Sequence, residues 1–562
     1  MFDIDSILKQ MTLEEKAGQL VMSSFVDRFE VPSDMDALLQ KGAVGSILYF
    51  SGCNVIDPLQ LRDLTEKVQA SARKSRFGIP VFVAIDQEGG QLAPITQNIS
   101  IGPGNMALAA IRDEGEAVKA AFDNGRITGA ELASIGITTC FAPVVDLCFE
   151  EGLPVKDNRY FGSDPVRAGK LAAAFIKGLN SAGVMSCAKH FPGQRNVDID
   201  SHFELDVIPY SVEDMMKREW IPFKAAIEAD VSMMMTLHAG FTAIDPTNTP
   251  ATLSKPIIEG MLKGTLGYKG LVVSDDIQMK PIRDAYGIEG ALVRCIAAGV
   301  DIIIISGGVS EANTFIANGV RRGELSEERL DQAVRKVLEY KQKCVPLKVP
   351  SSGRTRKSCA SKKNLSTVQQ SADKSITLLR NSAALLPLGK IRSNARISII
   401  RPTMGRLMMS DNTNFYPFDF KDVFSQYFDH VYEYVVGLQP NDTEFLGASD
   451  WAFMGDYVIF CTYNAYKWPE QLKMLEACRQ FADERKLIVV ALRSPADLAC
   501  MPDDIETLIA TYGVAECSLH ALARAIKGDI TPTGILPVGV GDGKPSRSTG
   551  MARGSGLAHW TK

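Results

Sequence analysis

Val44-Gly-Ser-Ile-Leu-Tyr49 and Val81-Phe-Val-Ala-Ile85 are two short apolar runs, separated by the longer amphipathic stretch Pro58–Ser75. Both runs have the length of a strand and lack strict alternation, which is typical of strands buried on both faces of a parallel sheet. The stretch between them is long enough to form the helix that joins one parallel strand to the next. The pattern therefore predicts a strand–helix–strand unit.

The same unit repeats through the first 345 residues, where eight apolar runs alternate with helix-like segments. Eight consecutive units favour a (β/α)8 TIM barrel over an open doubly wound sheet. Thr12 and Glu15 form a capping-box pattern at the first predicted helix. The eight predicted strands are Gln19–Met22, Val44–Tyr49, Val81–Ile85, Thr138–Val145, Gly183–Ala188, Val231–Leu237, Leu271–Val273 and Asp301–Ile305.

The chain changes character near residue 346. Residues 346–370 are interpreted as a linker, because Pro346–Lys363 is rich in Pro, Ser, Lys and Arg and has almost no apolar periodicity. Residues 371–562 alternate again, which predicts a smaller three-layer α/β/α sandwich with an open sheet. Ser375–Leu379 is expected to be helical. Strands are predicted at Ile397–Ile400, Tyr457–Cys461, Leu487–Leu492 and Thr507–Ala510.

The composition excludes several classes of protein. The 562 residues are 46% hydrophobic and 23% charged, with a net charge of −5, which is typical of a globular protein and argues against a nucleic-acid binder. No apolar run is long enough to span a membrane, and the N-terminus lacks a signal-peptide pattern. Eleven cysteines without CxxC pairs indicate free thiols. We therefore expect a cytoplasmic protein without membrane or nucleic-acid partners.

Polar residues follow most of the predicted barrel strands. A barrel carries its chemistry at the carboxyl ends of its strands, so these side chains are expected to converge on one site. They include acids, cations and three of only six histidines. The residues at these strand ends, or in the loops that follow, are Asp86, Glu88, Asp146, Arg159, Lys189, His190, Asp200, His202, His238, Asp275 and Asp276.

Several of these residues also have a structural interpretation. Of Asp275 and Asp276, one could cap the next helix while the other serves the site. Lys189 could form a structural ion pair, although a buried Lys at a strand end is equally consistent with function. Asp200 and His202 are close enough to pair, which orients an imidazole for structure or for acid–base work.

Glu88 lies between glycines and is better interpreted as a turn residue, and His238 fits a core histidine equally well. A metal site is not indicated, because no HExxH or paired Cys/His spacing is present and Lys189 and Arg159 would repel a cation. No cofactor is expected. Acids combined with fixed cations suit a neutral or anionic polyol.

The run Lys189-His-Phe-Pro-Gly-Gln-Arg-Asn-Val-Asp-Ile-Asp-Ser-His202 resembles a signature of glycoside hydrolase family 3 β-N-acetylglucosaminidases, the NagZ-like branch. Met11–Leu20, Asp86–Gly90, Arg159–Gly162 and Val273–Met279 resemble further blocks of that family in the same order. Ser375–Asn381, Leu385–Leu388 and Gly534–Val538 resemble the second domain of its two-domain members. The resemblance covers nearly the whole chain.

The resemblance implies a retaining hydrolase that removes terminal β-linked N-acetylglucosamine (GlcNAc) from oligosaccharides or glycoconjugates. Asp275 would be the nucleophile, and His202, held by Asp200, would be the general acid/base in place of the second carboxylate used by most retaining glycosidases. The residues expected to bind the terminal sugar are Asp86, Arg159, Lys189 and His190.

The chain departs from the family pattern around these residues. Gln194 and Arg195 replace the His-Gly that usually follows Pro-Gly, and Val197 replaces a Thr. The usual arginines after Glu-Gly-Gly are absent from Gln91–Pro94. These changes affect the loops around the site, so they bear on leaving-group preference and efficiency.

Three other functions remain open at this point. A phosphorylase would use the same covalent intermediate with phosphate as acceptor, since a neutral His would not repel phosphate and Arg195 could attract it. A β-glucosidase of the same superfamily is disfavoured by the Asp-Ser-His loop. A non-catalytic sugar-binding protein on this fold is disfavoured because Asp275, Asp200 and His202 are all present.

Overall fold

The computed structural model contains a barrel domain and a second domain built on an open sheet. Of the predicted site residues, Asp200 and His202 lie outside the residues that the structure describes, as do Arg195 and Val197. The described residues are 2–148, 158–194, 206–307, 311–346, 348–389, 391–405, 407, 411–483, 486–541 and 551–560.

The first domain is the predicted barrel of eight parallel strands. The first strand pairs with the last, with Val21 opposite Ile303. A parallel β-bridge between Val273 and Ile302 joins the seventh and eighth strands of the barrel, which closes the sheet. The order around the barrel is β10-β1-β2-β3-β4-β5-β7-β9, and β6 and β8 form a separate ribbon. The strands are β1 (Val21–Ser23), β2 (Ser46–Tyr49), β3 (Phe82–Ile85), β4 (Thr139–Cys140), β5 (Met185–Phe191), β6 (Asp206–Ile208), β7 (Met233–Thr236), β8 (Ala239–Phe241), β9 (Leu271–Val273) and β10 (Ile303–Ile305).

Each of the eight predicted apolar runs overlaps a barrel strand, but several runs begin or end at other residues than the strand does. Gln19 belongs to a helix, so the first strand begins later than predicted. In the run Thr138–Val145 only β4 forms, because Pro143 has no N–H to donate to a strand ladder. The strand β5 continues beyond its predicted end and includes Lys189 and His190.

Helices surround the barrel. The predicted capping box is confirmed: the Glu15 N–H donates to Thr12 Oγ1 at 3.2 Å, and the Thr12 N–H donates to Glu15 Oε2 at 2.9 Å. No helix in the described ranges is long and apolar enough to cross a membrane. The helices are α1 (Ile4–Gln10), α2 (Leu13–Gln19), α3 (Ser33–Gln40), α4 (Pro58–Ala72), α5 (Asn105–Ala109), α6 (Glu114–Ile135), α7 (Pro165–Ser181), α8 (Val212–Lys217), α9 (Trp220–Glu228), α10 (Lys280–Ala298), α11 (Ala312–Arg321) and α12 (Glu327–Cys344), with a π-helical segment at Pro256–Thr265.

Two helices occupy the region predicted as a linker, α13 (Ser352–Ser358) and α14 (Lys362–Ser375). The first is fastened to the barrel domain, since Thr355 Oγ1 donates to the Ser134 carbonyl of α6 at 2.7 Å. The region therefore has regular structure, although most of its side chains are exposed as expected. The domain boundaries themselves stay a prediction.

The second domain is the predicted three-layer sandwich. Its sheet has the order β11-β16-β15-β14-β12-β13, with only β11 antiparallel among the described strands. Alternate residues point into two cores: Ile488 and Val490 into one, Leu487 and Val489 into the other. The elements are β11 (Thr377–Asn381), β12 (Arg396–Pro402), α15 (Phe420–Phe424), β13 (His430–Val436), α16 (Asp442–Met454), β14 (Tyr457–Thr462), α17 (Glu470–Arg479), β15 (Leu487–Ala491), β16 (Thr507–Ala510) and α18 (Glu516–Lys527).

The helix expected at Ser375–Leu379 was wrong. The helix α14 ends at Ser375, and β11 begins at Thr377. Leu378 is fully buried and contributes to the sheet core. Tertiary packing against β16 overrides the local helix-like pattern.

Candidate active site

A buried cluster of charges lies where β3 and β5 end. Lys189 Nζ lies between two carboxylates, 2.7 Å from Asp86 Oδ1 and 2.7 Å from Glu88 Oε1. The Lys189 side chain is only 2% exposed and that of Glu88 3%, whereas that of Asp86 is 22% exposed. Asp86 is thus the member of this trio that presents a carboxylate oxygen to the rim.

Arg159 completes the cluster from the loop after β4. Its guanidinium donates two hydrogen bonds to Glu88, from Nη2 to Oε1 at 2.7 Å and from Nε to Oε2 at 2.9 Å. Burial alone would raise the pKa of the Glu88 carboxyl, but the charges of Arg159 and Lys189 outweigh burial and lower that pKa to about 2. Conversely, burial opposes the charged form of Lys189, yet Asp86 and Glu88 raise the pKa of its ammonium group. The charges of two acids and two cations therefore compensate one another in a largely buried cluster.

Glu88 has a larger part in this cluster than the sequence indicated. It lies in a tight turn as expected, where its N–H donates to the Leu92 carbonyl at 3.0 Å. Its side chain also joins Lys189 to Arg159, which places both cations at the site. No local sequence pattern indicates this contact, because Glu88 and Arg159 are 71 residues apart.

His190 is oriented by Asp146, a residue for which the sequence motifs indicate no role. Asp146 Oδ2 lies 2.8 Å from His190 Nδ1 and accepts the His190 N–H at 3.0 Å. Since a carboxylate only accepts, Nδ1 carries the proton and Nε2 points elsewhere. Asp146 Oδ1 also accepts the Gln194 N–H at 2.7 Å. Asp146 therefore fixes both His190 and the start of the loop that follows β5.

The two aspartates after β9 differ in their environments. Asp276 is engaged locally, since its side chain accepts the Gln278 N–H at 2.9 Å and a short hydrogen bond from Ser306 Oγ. Burial raises the pKa of Asp276 despite these bonds. Asp275 is partly exposed, and its Oδ1 accepts the Asp276 N–H at 2.8 Å. Asp276 is also partly exposed, and the expected division of roles between the two aspartates stays a prediction.

His238 is fully buried behind Asp276. Its Nε2 lies 3.0 Å from the Asp276 carbonyl oxygen, so this nitrogen donates, and its Nδ1 lies 2.8 Å from Thr252 Oγ1. His238 therefore supports the backbone next to Asp275.

The structure does not test every predicted residue. It brings together Asp86, Arg159 and Lys189, and it places His190 beside them in β5 and Asp275 after β9. Asp200 and His202 lie outside the described ranges, so their predicted pairing stays a prediction. Within those ranges, no three His, Cys, Asp or Glu side chains are grouped as metal ligands. All eleven cysteines are free thiols, as predicted.

The sequence pattern of the glycosyl hydrolase family 3 N-terminal domain matches residues 12–340, more than half of the chain. The chain belongs to glycosyl hydrolase family 3. The matched region contains every residue predicted for the site, and the resemblance drawn from the sequence motifs is confirmed at the level of the family. The roles of individual residues stay predictions.

Two beta-hexosaminidases match this chain over different lengths. Beta-hexosaminidase A from Pseudoalteromonas piscicida is 30% identical over 334 residues, which are 56% of this chain and 56% of that protein. The match thus spans little more than half of that relative's length. A beta-hexosaminidase from Alkalilimnicola ehrlichii is 33% identical over 290 residues, covering 51% of this chain and 80% of that protein.

A solved family 3 structure matches both domains. It is a beta-N-acetylglucosaminidase from a Paenibacillus species, with a TM-score of 0.85 and 31% sequence identity, and the match covers 94% of this chain and 99% of that chain. The two-domain architecture of this chain is therefore shared with that enzyme.

Proposed function

We propose that this family 3 protein is a retaining exo-β-N-acetylglucosaminidase that hydrolyses terminal non-reducing β-linked GlcNAc. The observation that carries the proposal is the position of Asp275 after β9, on the same rim of the barrel as the cluster of Asp86, Lys189 and Arg159. Named β-N-acetylglucosaminidase and β-hexosaminidase relatives support the choice of sugar.

The binding cluster suits the hydroxyl groups of a terminal sugar. Asp86 accepts hydrogen bonds from sugar hydroxyls, while its ion pair with Lys189 holds the carboxylate in place. His190 offers Nε2, because Nδ1 is held by Asp146. Glu88 is enclosed by cations and supports the cluster rather than contacting the sugar.

In the first step an Asp275 oxygen attacks C1 of the sugar, and a covalent C1–O ester bond forms. The glycosidic bond breaks, and its electron pair leaves with the aglycone oxygen, which takes a proton from His202. In the second step water attacks C1, the ester bond breaks with its electrons returning to Asp275, and His202 takes the proton from water. Two displacements at C1 retain the configuration.

Asp275 is preferred over Asp276 as the nucleophile because the sequence motif assigns it that role and because the contacts of Asp276 suit a structural residue. Ser306 and the Gln278 N–H already occupy Asp276, and burial favours its protonated form. The assignment of His202 and Asp200 rests on the sequence motif. It is supported by the loop's anchor at Gln194, which is held on the same rim by Asp146.

The function is tested by release of 4-nitrophenol from its β-N-acetylglucosaminide, with the matching β-glucoside as comparison. We expect release from the N-acetyl sugar, with free GlcNAc of β configuration as the first product by NMR. Added phosphate separates the alternatives, since a phosphorylase would yield GlcNAc 1-phosphate. Sugar binding without turnover would contradict the proposal and favour a binding protein.

The role of His202 is tested with leaving groups of different basicity. We expect His202→Ala to slow hydrolysis of chitobiose far more than that of the 4-nitrophenyl glycoside, because nitrophenolate leaves without a proton. His559→Ala, near the C-terminus, is the matched control. Equal losses on both substrates would show that His202 is not the acid.

A further inference from the structure

The second domain reaches across to the turn that carries Glu88. The segment Asp411–Tyr416, called here the bracing segment, makes three hydrogen bonds to the barrel domain. The Asn412 N–H donates to the Gln91 carbonyl at 2.9 Å, and Asn412 Nδ2 donates to Ser51 Oγ at 2.8 Å. The Tyr416 hydroxyl donates a short bond to the Gly90 carbonyl. The segment therefore contacts the loops after β2 and β3.

The bracing segment is itself fixed to the second sheet by a buried ion pair. Asp411 Oδ2 lies 2.5 Å from Nη1 of Arg493, which follows β15, and their side chains are 0% and 2% exposed. Asp411 Oδ1 accepts from Thr413 Oγ1 at 2.8 Å, which closes the segment on itself. Separating such a pair would leave a buried charge, so the segment is held firmly.

The second domain also supports the loop that carries Arg159. Asn158 Nδ2 donates to the Tyr512 carbonyl at 2.6 Å, just beyond β16. Both partners of the Glu88–Arg159 pair thus belong to loops that the second domain contacts. The turn of Glu88 continues through Gly89 and Gly90, both at positive φ, so it has no side chains of its own there to anchor it.

We propose that Tyr416 and Asn412 are positioning residues for sugar binding, acting through Gly90, Gln91 and Glu88 on the charge cluster. This inference rests on the proposed function for the identity of the sugar. The braced turn follows β3, whereas Asp275 follows β9. Loosening the brace should therefore weaken binding by Asp86 and Lys189 more than it slows attack by Asp275.

The test compares Tyr416→Phe and Asn412→Ala with wild type in the full-length protein. Tyr416→Phe removes the hydrogen bond to Gly90. Asn412→Ala removes only the side-chain bond to Ser51, because its backbone N–H still donates to Gln91. We expect KM for the 4-nitrophenyl N-acetylglucosaminide to rise about three- to tenfold in Tyr416→Phe and less in Asn412→Ala. In both, kcat should stay within about twofold, as expected when binding common to the ground state and the transition state is lost. Tyr432→Phe, at an exposed tyrosine of β13, is the matched control and should leave both constants unchanged.

A second measurement does not depend on turnover. Calorimetry of GlcNAc binding should show losses of affinity in the same order, larger in Tyr416→Phe than in Asn412→Ala. If wild type fails to hydrolyse the substrate, the proposed function fails, while weaker GlcNAc binding by the variants would still support the brace. The positioning role would be overturned if KM and GlcNAc affinity were unchanged in both variants, even if their unfolding temperature fell. It would also be overturned if kcat fell in both variants while KM stayed unchanged.

Discussion

Asp275 and Asp276 are chemically identical neighbours for which we propose different roles. We expect Asp275→Ala to lower kcat by roughly four orders of magnitude or more, because the covalent nucleophile is lost. Azide should restore turnover of the 4-nitrophenyl substrate by occupying the vacated space, and the product should be the α-glycosyl azide. Asp284→Ala, an exposed carboxylate on α10, is the control. Full activity without azide would contradict the assignment.

Asp146 is expected to act through His190. In Asp146→Asn an amide nitrogen can face His190 Nδ1, which would move the imidazole proton to Nε2 and change what the ring offers the sugar. Because a charge-assisted hydrogen bond is also lost, kcat/KM should fall about tenfold or more. Steady-state kinetics beside the exposed control Asp284→Asn measures this. An unchanged kcat/KM would show that His190 needs no such partner.

At the scale of elements, the turn after β3 depends on glycine. Gly90 has a φ of 59°, and a Cβ there would lie 2.9 Å from the Gly104 Cα. Gly90→Ala should therefore displace the turn and Glu88, raising KM about tenfold or more in addition to a backbone cost of about 1 kcal/mol. Gly42→Ala is the matched control, since Gly42 has a φ of 67° with open space around its Cβ. Equal KM values in the two variants would contradict this.

The sequence predicts best those elements whose pattern is local. The barrel strands could be predicted because each apolar run is bounded by turn residues. The residues of the site could be predicted because they directly follow these runs, at the carboxyl ends of the strands. The strand β13 was missed because, as an edge strand with exposed Tyr432 and Val435, it lacks a continuous apolar run.

Long-range contacts within the site are the part that the sequence could not supply. The local pattern alone did not say which of Asp275 and Asp276 serves the site, and only the family resemblance selected Asp275. The contact of Asp276 with Ser306, 30 residues away, has no local signature. Arg159 and Lys189 were identified as site residues, but their shared partner Glu88 was not. Tyr416 is 326 residues from Gly90, so its contact with the turn has no signature in the chain.

At the scale of the whole molecule, Lys341 couples stability to pH. This residue of α12 is 1% exposed beneath the barrel, where its Nζ donates to Gln19 Oε1 at 2.8 Å, and burial lowers its pKa from 10.5 to about 7. Between these values the unfolded chain binds the proton and the folded chain does not, so this group makes the free energy of unfolding rise with pH from about 7 to 10.5.

We expect Lys341→Met to remove this contribution and to raise the unfolding temperature most at or below pH 7, where the cost of burying the lysine is largest. Lys343→Met, at an exposed position on the same helix, should keep the pH dependence of wild type. Parallel pH profiles of the unfolding temperature for Lys341→Met and wild type would show that Lys341 stays charged in the folded protein.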